Sequence, residues 1–190
     1  MAGRSRTLRP PLSTPGHHAL RVESFAELAS RIRTTAPAGG LRTRLVAVDG
    51  RGAAGKTTFA GRLAVALGAP LVHTDDVHAR VGHPWWPALE ADVLAPLTTG
   101  GPEVLIIEGV SSSRRAIADR LAYGIWLHVP AVPRLARGIE RDGSAADWSP
   151  YEAEENAFFA ADPAPDRADL VVDGAPALPH DPATQYIRLG

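Results

Sequence analysis

The residues best suited by type and spacing to do chemistry stand at Gly50-Arg51-Gly52-Ala53-Ala54-Gly55-Lys56-Thr57, a full match to G-x-x-x-x-G-K-[ST]. Glycines here let the chain bend so that successive N–H groups point inward and cradle phosphate oxygens. A helix beginning at the end of such a loop adds unpaired donors and a partial positive charge. The pattern assigns Gly50, Gly52, Ala53, Ala54, Gly55, Lys56, Thr57 and Thr58 to a nucleotide's phosphates. Lys56 is the group that would reach the β- and γ-phosphates, and the Thr57 hydroxyl would bind Mg²⁺. Lys56 is also the only lysine among 20 basic residues. A flexible ammonium kept at that one position suits a phosphate. The plainer reading is a glycine turn joining a strand to a helix.

The elements around the loop favour the phosphate reading. Leu45-Val46-Ala47-Val48 is apolar and too short for a helix, so it predicts a buried strand. Phe59, Leu63, Val65 and Leu67 predict a helix after the loop. Gly68-Ala69-Pro70 turns the chain into a second strand, Leu71-Val72-His73. Strand, helix and strand at this spacing form a parallel βαβ unit with a right-handed crossover. Upstream, Ser24-Phe25-Ala26-Glu27 has capping-box spacing and starts a helix that ends before Pro37.

Ligands in such sheets bind beyond the carboxyl ends of the strands. Asp75 and Asp76 follow the second strand; on an extended segment they point to opposite faces, so one of them aims at the phosphates, unless both belong to a polar loop. His83-Pro84-Trp85-Trp86-Pro87 follows. Its aromatic rings either stack on a ring-bearing substrate or plug the core, and Asp76, His83, Trp85 and Trp86 are candidate substrate contacts. A helix is expected over Ala88–Leu97. The apolar strand Val104–Ile107 ends in Glu108, the place for an acid that holds Mg²⁺ or its water. Ser111-Ser112-Ser113 is expected to cap a helix carrying Arg114 and Arg115 in its first turn. Arginines oppose the helix dipole there, so they serve an anionic ligand or form a solvated face.

A fourth strand is expected at Ile125–Val129 and a helix at Pro133–Asp142. Arg134, Arg137 and Arg141 share one face of that helix. Such a face suits a phosphate lid, or else pairs with Glu140 and Asp142. Gly143–Ala146 reads as a hinge, Trp148–Ala160 as a helix and Ala168–Val172 as a fifth strand. Tyr186–Leu189 is a candidate short strand.

Composition bounds the function. The 190 residues carry a net charge of -1, so nothing draws the whole chain to nucleic acid or to an anionic membrane. There is no cysteine, hence no disulfide or thiol chemistry. No apolar run approaches the ~20 residues of a membrane span, and the start of the chain has no signal-peptide core. A cytoplasmic protein is expected, with a disordered tail over residues 1–20 and one domain over 21–190. The tail's arginines are solvated or touch nucleic acid.

With these residues in place, the chain resembles the uridine kinase-like branch of the P-loop kinases. The resemblance rests on VDGRGAAGKTT at Val48–Thr58, Asp75-Asp76, His83-Pro84 and IIEGV at Ile106–Val110. The run from Arg134 to Asp142 and RADLVV at Arg167–Val172 extend it. It implies an α/β, three-layer P-loop NTPase fold with a five-stranded parallel sheet in the order 2-3-1-4-5. It implies transfer of the γ-phosphate of ATP, with Mg²⁺, to a hydroxyl of a small-molecule acceptor of nucleoside type. Asp75 then matches the acid that orients and deprotonates the acceptor hydroxyl, and with Thr57 and Glu108 it is a candidate metal ligand. Arg137 and Arg141 match lid arginines that act with Lys56 on the phosphates. Uridine kinases carry a tyrosine-aspartate-aromatic segment before the Glu-Gly strand, whereas only Thr98–Glu103 stand between Leu97 and Val104 here. Val77 and His78 follow the acid pair where the family has aromatic residues. A nucleotide-binding protein without efficient transfer is the alternative expectation; a nucleic-acid end kinase fits the near-neutral charge poorly.

Overall fold

A computed structural model describes residues 20–82 and 84–190, with the helix path alone for 145–147. Apart from Leu20, the expected N-terminal tail lies outside these residues, and so does His83.

The apolar strand ahead of the glycine loop is the centre of the sheet. It is β2, Arg44–Gly50. The other strands are β1 Arg21–Ser24, β3 Leu71–His73, β4 Val104–Glu108, β5 Leu121–His128, β6 Leu170–Asp173 and β7 Gln185–Leu189. They form one seven-stranded sheet in the order β1-β7-β6-β5-β2-β4-β3. β3, β4, β2, β5 and β6 run parallel to one another, while β7 pairs antiparallel with both β6 and β1. The expected five-stranded, all-parallel sheet is therefore corrected to a seven-stranded, mixed one, in which β7 and β1 extend five parallel strands that keep the expected 2-3-1-4-5 order. The reason lies at the β6 edge. Tyr186, Ile187 and Leu189 are buried there, and the Glu23 carboxylate of β1 accepts from Arg31 Nη2 (2.5 Å), Tyr186 Oη (2.6 Å) and Arg188 Nη1 (3.2 Å).

Alternation along β2 builds the layers. Val46 and Val48 pack with Phe25, Leu28 and Ile32 of α1 (Phe25–Thr34) and with Phe59 and Leu63 of α2 (Lys56–Leu67). Leu45 and Ala47 face the other way, toward Leu89, Leu94 and Leu97. Side chains two apart sharing a face is what a strand dictates. The α1 start is the expected capping box, with Ser24 and Glu27 each serving the other's backbone.

Several boundaries moved. α3 begins at Thr74 and runs to Val81, so Asp75 and Asp76 sit in a helical first turn and not on an extended segment. The expected Ala88–Leu97 helix is α4 (Trp86–Leu89) continuing through a wide turn at Glu90–Leu94 and a tight one at Ala95–Thr98. Ser111–Ser113 cap no helix; only a short 3₁₀ turn at Arg115–Ile117 follows. α5 spans Ala131–Asp142 and α6 Ala145–Ala161, so helix already occupies part of the expected hinge. Among the described residues no helix is long and apolar enough to cross a membrane.

Candidate active site

The site gathers at the carboxyl ends of β2, β3 and β4. The loop after β2 turns on Gly55, whose φ of 87° lies in the left-handed region open to glycine. Gly55 leaves the start of α2 without a side-chain cap. The helix's first amides are thus available to an anion. Lys56 opens α2 and is buried, with Nζ donating to the Arg51 carbonyl at 3.0 Å. Burial pushes the Lys56 ammonium below its ordinary range, while Asp49, Glu108, Glu155 and Asp75 pull it back up. A desolvated cation at an uncapped helix start fits the phosphates of a nucleotide on the structure's own terms.

The metal side is equally specific. The Thr57 hydroxyl donates to Glu108 Oε1 at 3.0 Å, and His73 Nδ1 lies 2.5 Å from the same oxygen. The described residues contain no group of three His, Asp or Glu side chains placed to hold a metal ion. Mg²⁺ needs none when one carboxylate and a hydroxyl act together with a nucleotide's own phosphates. Thr57 and Glu108 fit that role.

Asp75 is exposed and lines a cleft of about 300 Å³ with His78, Trp85, Tyr151, Glu154 and Phe158. Asp76 is exposed too, but it is not part of that lining. Trp85 is buried in the core below and forms a wall of the cleft above. Trp86 is half-buried against the same core and stands edge-on to Trp85, ring centres 5.8 Å apart.

The basic face of α5 is divided: Arg134 turns inward, while Arg137 and Arg141 stay exposed. Arg134 is buried and paired with Glu152 (2.5 Å) and Glu155 (3.4 Å) of α6. Arg137 donates to the Gly174 carbonyl at 2.8 Å, and Arg141 pairs with Asp142 at 2.8 Å. The reading of three arginines on one open face is therefore corrected for Arg134 alone, and the Arg141–Asp142 pair is the expected alternative within the helix. Arg134 is structural because the acids of α6 face it.

Three further residues complete the site: Asp49 and Glu155, which do not stand out by pattern, and Arg114, one of the two arginines expected after the serine run. Asp49, wholly buried, accepts from the amides of Gly50 (2.7 Å), Ser111 (2.9 Å) and Ser113 (2.9 Å) and from Ser113 Oγ (2.6 Å). Burial pushes this carboxyl up, and the Ser113 and Gly50 bonds and Lys56 oppose that. Asp49 thereby ties the glycine loop to the turn after β4; its signal in the sequence was an acid closing an apolar strand. Glu155, also buried, accepts from the Gly52 amide at 2.6 Å and so seats α6 on the loop. Arg114 lies over the two tryptophans.

The fold has known counterparts. A possible uridine kinase from Bacillus stearothermophilus superposes with a TM-score of 0.54 over 78% of this chain and 97% of its own, at 20% identity. Shikimate kinase from Acinetobacter baumannii, in complex with shikimate, superposes with a TM-score of 0.53 over 82% of this chain and 90% of its own, at 16% identity. No family model and no curated protein matches the sequence. At these identities the likeness shows the fold alone, an α/β fold shared with those two structures.

Proposed function

We propose that the protein is an ATP-dependent small-molecule kinase that moves a γ-phosphate to a hydroxyl, with a nucleoside as the first acceptor to consider. The observation that carries this reading is the shared position of Asp75. It borders the acceptor-sized cleft and is electrostatically coupled to the buried Lys56 of the phosphate loop. In this reading the loop amides and Lys56 hold the phosphates of ATP, and Thr57 and Glu108 hold Mg²⁺. Bound there, ATP supplies the phosphoryl group and Mg²⁺ neutralises its charge. Asp75 orients the acceptor hydroxyl and takes its proton, work that needs a carboxylate within hydrogen-bond reach. Trp85, Tyr151 and Phe158 offer faces on which a ring-bearing acceptor stacks. The paired state of Arg134 and Arg141 supports a second reading, nucleotide binding without efficient transfer.

Asp75→Asn separates the two. Under the kinase reading it lowers acceptor-dependent ADP release by roughly 10²-fold or more, the usual scale for a general base, and leaves ATP·Mg²⁺ binding by calorimetry in place. Unchanged phosphotransfer in the variant removes Asp75 from the mechanism. ATP binding without any acceptor-dependent release in the wild type favours the second reading.

A further inference from the structure

The turn after β4 carries a cation that the phosphate chemistry leaves unused. The Arg114 guanidinium lies over Trp86, Trp85 and Phe158, at 4.3, 4.8 and 5.6 Å from their ring centres. Its Nε and Nη2 donate to the Ser111 carbonyl (3.3 Å) and hydroxyl (2.7 Å). Those contacts fix the plane of the guanidinium, yet none of them brings a countercharge. Among the described residues no carboxylate is ion-paired with Arg114, whereas Arg120, Arg134 and Arg167 each have one. Burial pushes Arg114 below its ordinary range, with only Coulombic help from Asp49 and Asp162 against it. It is thus a half-buried cation, set among aromatic rings, and it lines the same cleft as Asp75.

We infer that the acceptor carries an anionic group, a carboxylate or a phosphate, and that Arg114 recognises it while the hydroxyl to be phosphorylated faces Asp75. This rests on the reading of the cleft as the acceptor site. A guanidinium matches either oxyanion with two parallel N–H bonds. The aromatic bed keeps it oriented and weakly hydrated, so little ordering remains to be done on binding. The carboxylates that border the cleft do not take the acceptor's place. Glu155 is committed to the Gly52 amide and Arg134, and Glu154 lies exposed. A neutral acceptor leaves Arg114 desolvated and unpaired, and a site built around a polar partner rejects an analogue that lacks it.

The test uses pairs of acceptors that differ in one charge, with ADP release as the readout. Glucose against gluconate probes a carboxylate, and uridine against uridine 3′-monophosphate probes a phosphate. The wild type should favour the anionic member of at least one pair by about tenfold or more in kcat/KM, and the favoured pair identifies the oxyanion. Arg114→Gln should bring that ratio close to one, chiefly through KM. Arg114→Lys, which keeps the charge and loses the fork, should retain part of it. Preference for the neutral members, or an equal loss on both members in Arg114→Gln, overturns the assignment and leaves the kinase reading standing. If ATP·Mg²⁺ binds and no acceptor of either charge raises ADP release, the kinase reading fails and this inference fails with it.

Discussion

Removing the Arg134 guanidinium, as in Arg134→Met, tests how α5 and α6 are held over the phosphate loop. The side chain is 3% exposed and the Glu155 side chain opposite it 2% exposed. Methionine fills similar space and leaves the Glu155 carboxylate in the interior with the Gly52 amide and with Arg51, whose Nη1 is 3.8 Å away. Deleting one member of a buried pair costs about 3–5 kcal/mol, because the other charge stays buried. Arg51 and the amide place this case at the low end, about 3 kcal/mol. For a domain of this size each kcal/mol shifts the midpoint by roughly 2–4 °C, so a fall of about 6–12 °C is expected. Thermal and urea unfolding followed by circular dichroism measure it. Arg134→Met/Glu155→Gln should recover part of the loss, with a coupling of roughly 1–3 kcal/mol in the double-mutant cycle. A single-variant loss under about 1 kcal/mol is what an exposed pair gives, and it would refute the buried latch, as would strictly additive variants.

Two further expectations concern stability alone. Gly138→Ala gains helix propensity of about 1 kcal/mol at an ordinary site, but here the new Cβ stands 2.2 Å from the Trp148 ring. Overpacking, typically 1–3 kcal/mol, should win, and a raised unfolding midpoint would contradict the packing. Of the three tyrosines, Tyr123 and Tyr186 have phenols pushed upward by burial from 10.0, whereas Tyr151 is 40% exposed. Above pH of about 10 the unfolded chain loses phenol protons that the native state keeps, so stability is intact below that pH and falls above it. Ultraviolet titration should show the Tyr123 and Tyr186 phenolates appearing together with loss of helical signal, whereas free titration of these two near pH 10 in the folded protein contradicts their burial.

The part of the fold that was legible in the sequence is the part written in local chemistry. The run from Leu45 to Leu67 declares strand, loop and helix because apolar periodicity, glycines and one lysine agree over a short distance. Glu108 was readable for the same reason, as an acid that ends a fully apolar strand. What escaped was decided across long separations. Ser113 looks like a helix cap in isolation, yet Asp49, 64 residues earlier, is buried without enough donors of its own and recruits the serine's amide and hydroxyl. Arg134 has the spacing of a lid arginine, and only the arrival of α6 turns it inward. β1 is four residues long and partly exposed, and its pairing with β7 depends on residues at the far end of the chain.

The 2.6 Å bond between the Gly52 amide and Glu155 joins a helix to the glycine loop proposed to hold phosphate. The two are then conjugate variables. A ligand that shifts the Gly52 peptide changes the free energy of seating α6, and by reciprocity anything that draws on α6 changes the loop's affinity for that ligand by the same factor. Tyr151, Glu155 and Phe158 of α6 also form one side of the cleft that Asp75 borders. Under the proposed kinase reading, donor and acceptor occupancy would be coupled through this single helix, with a change in nucleotide affinity on acceptor binding as the measurable signature.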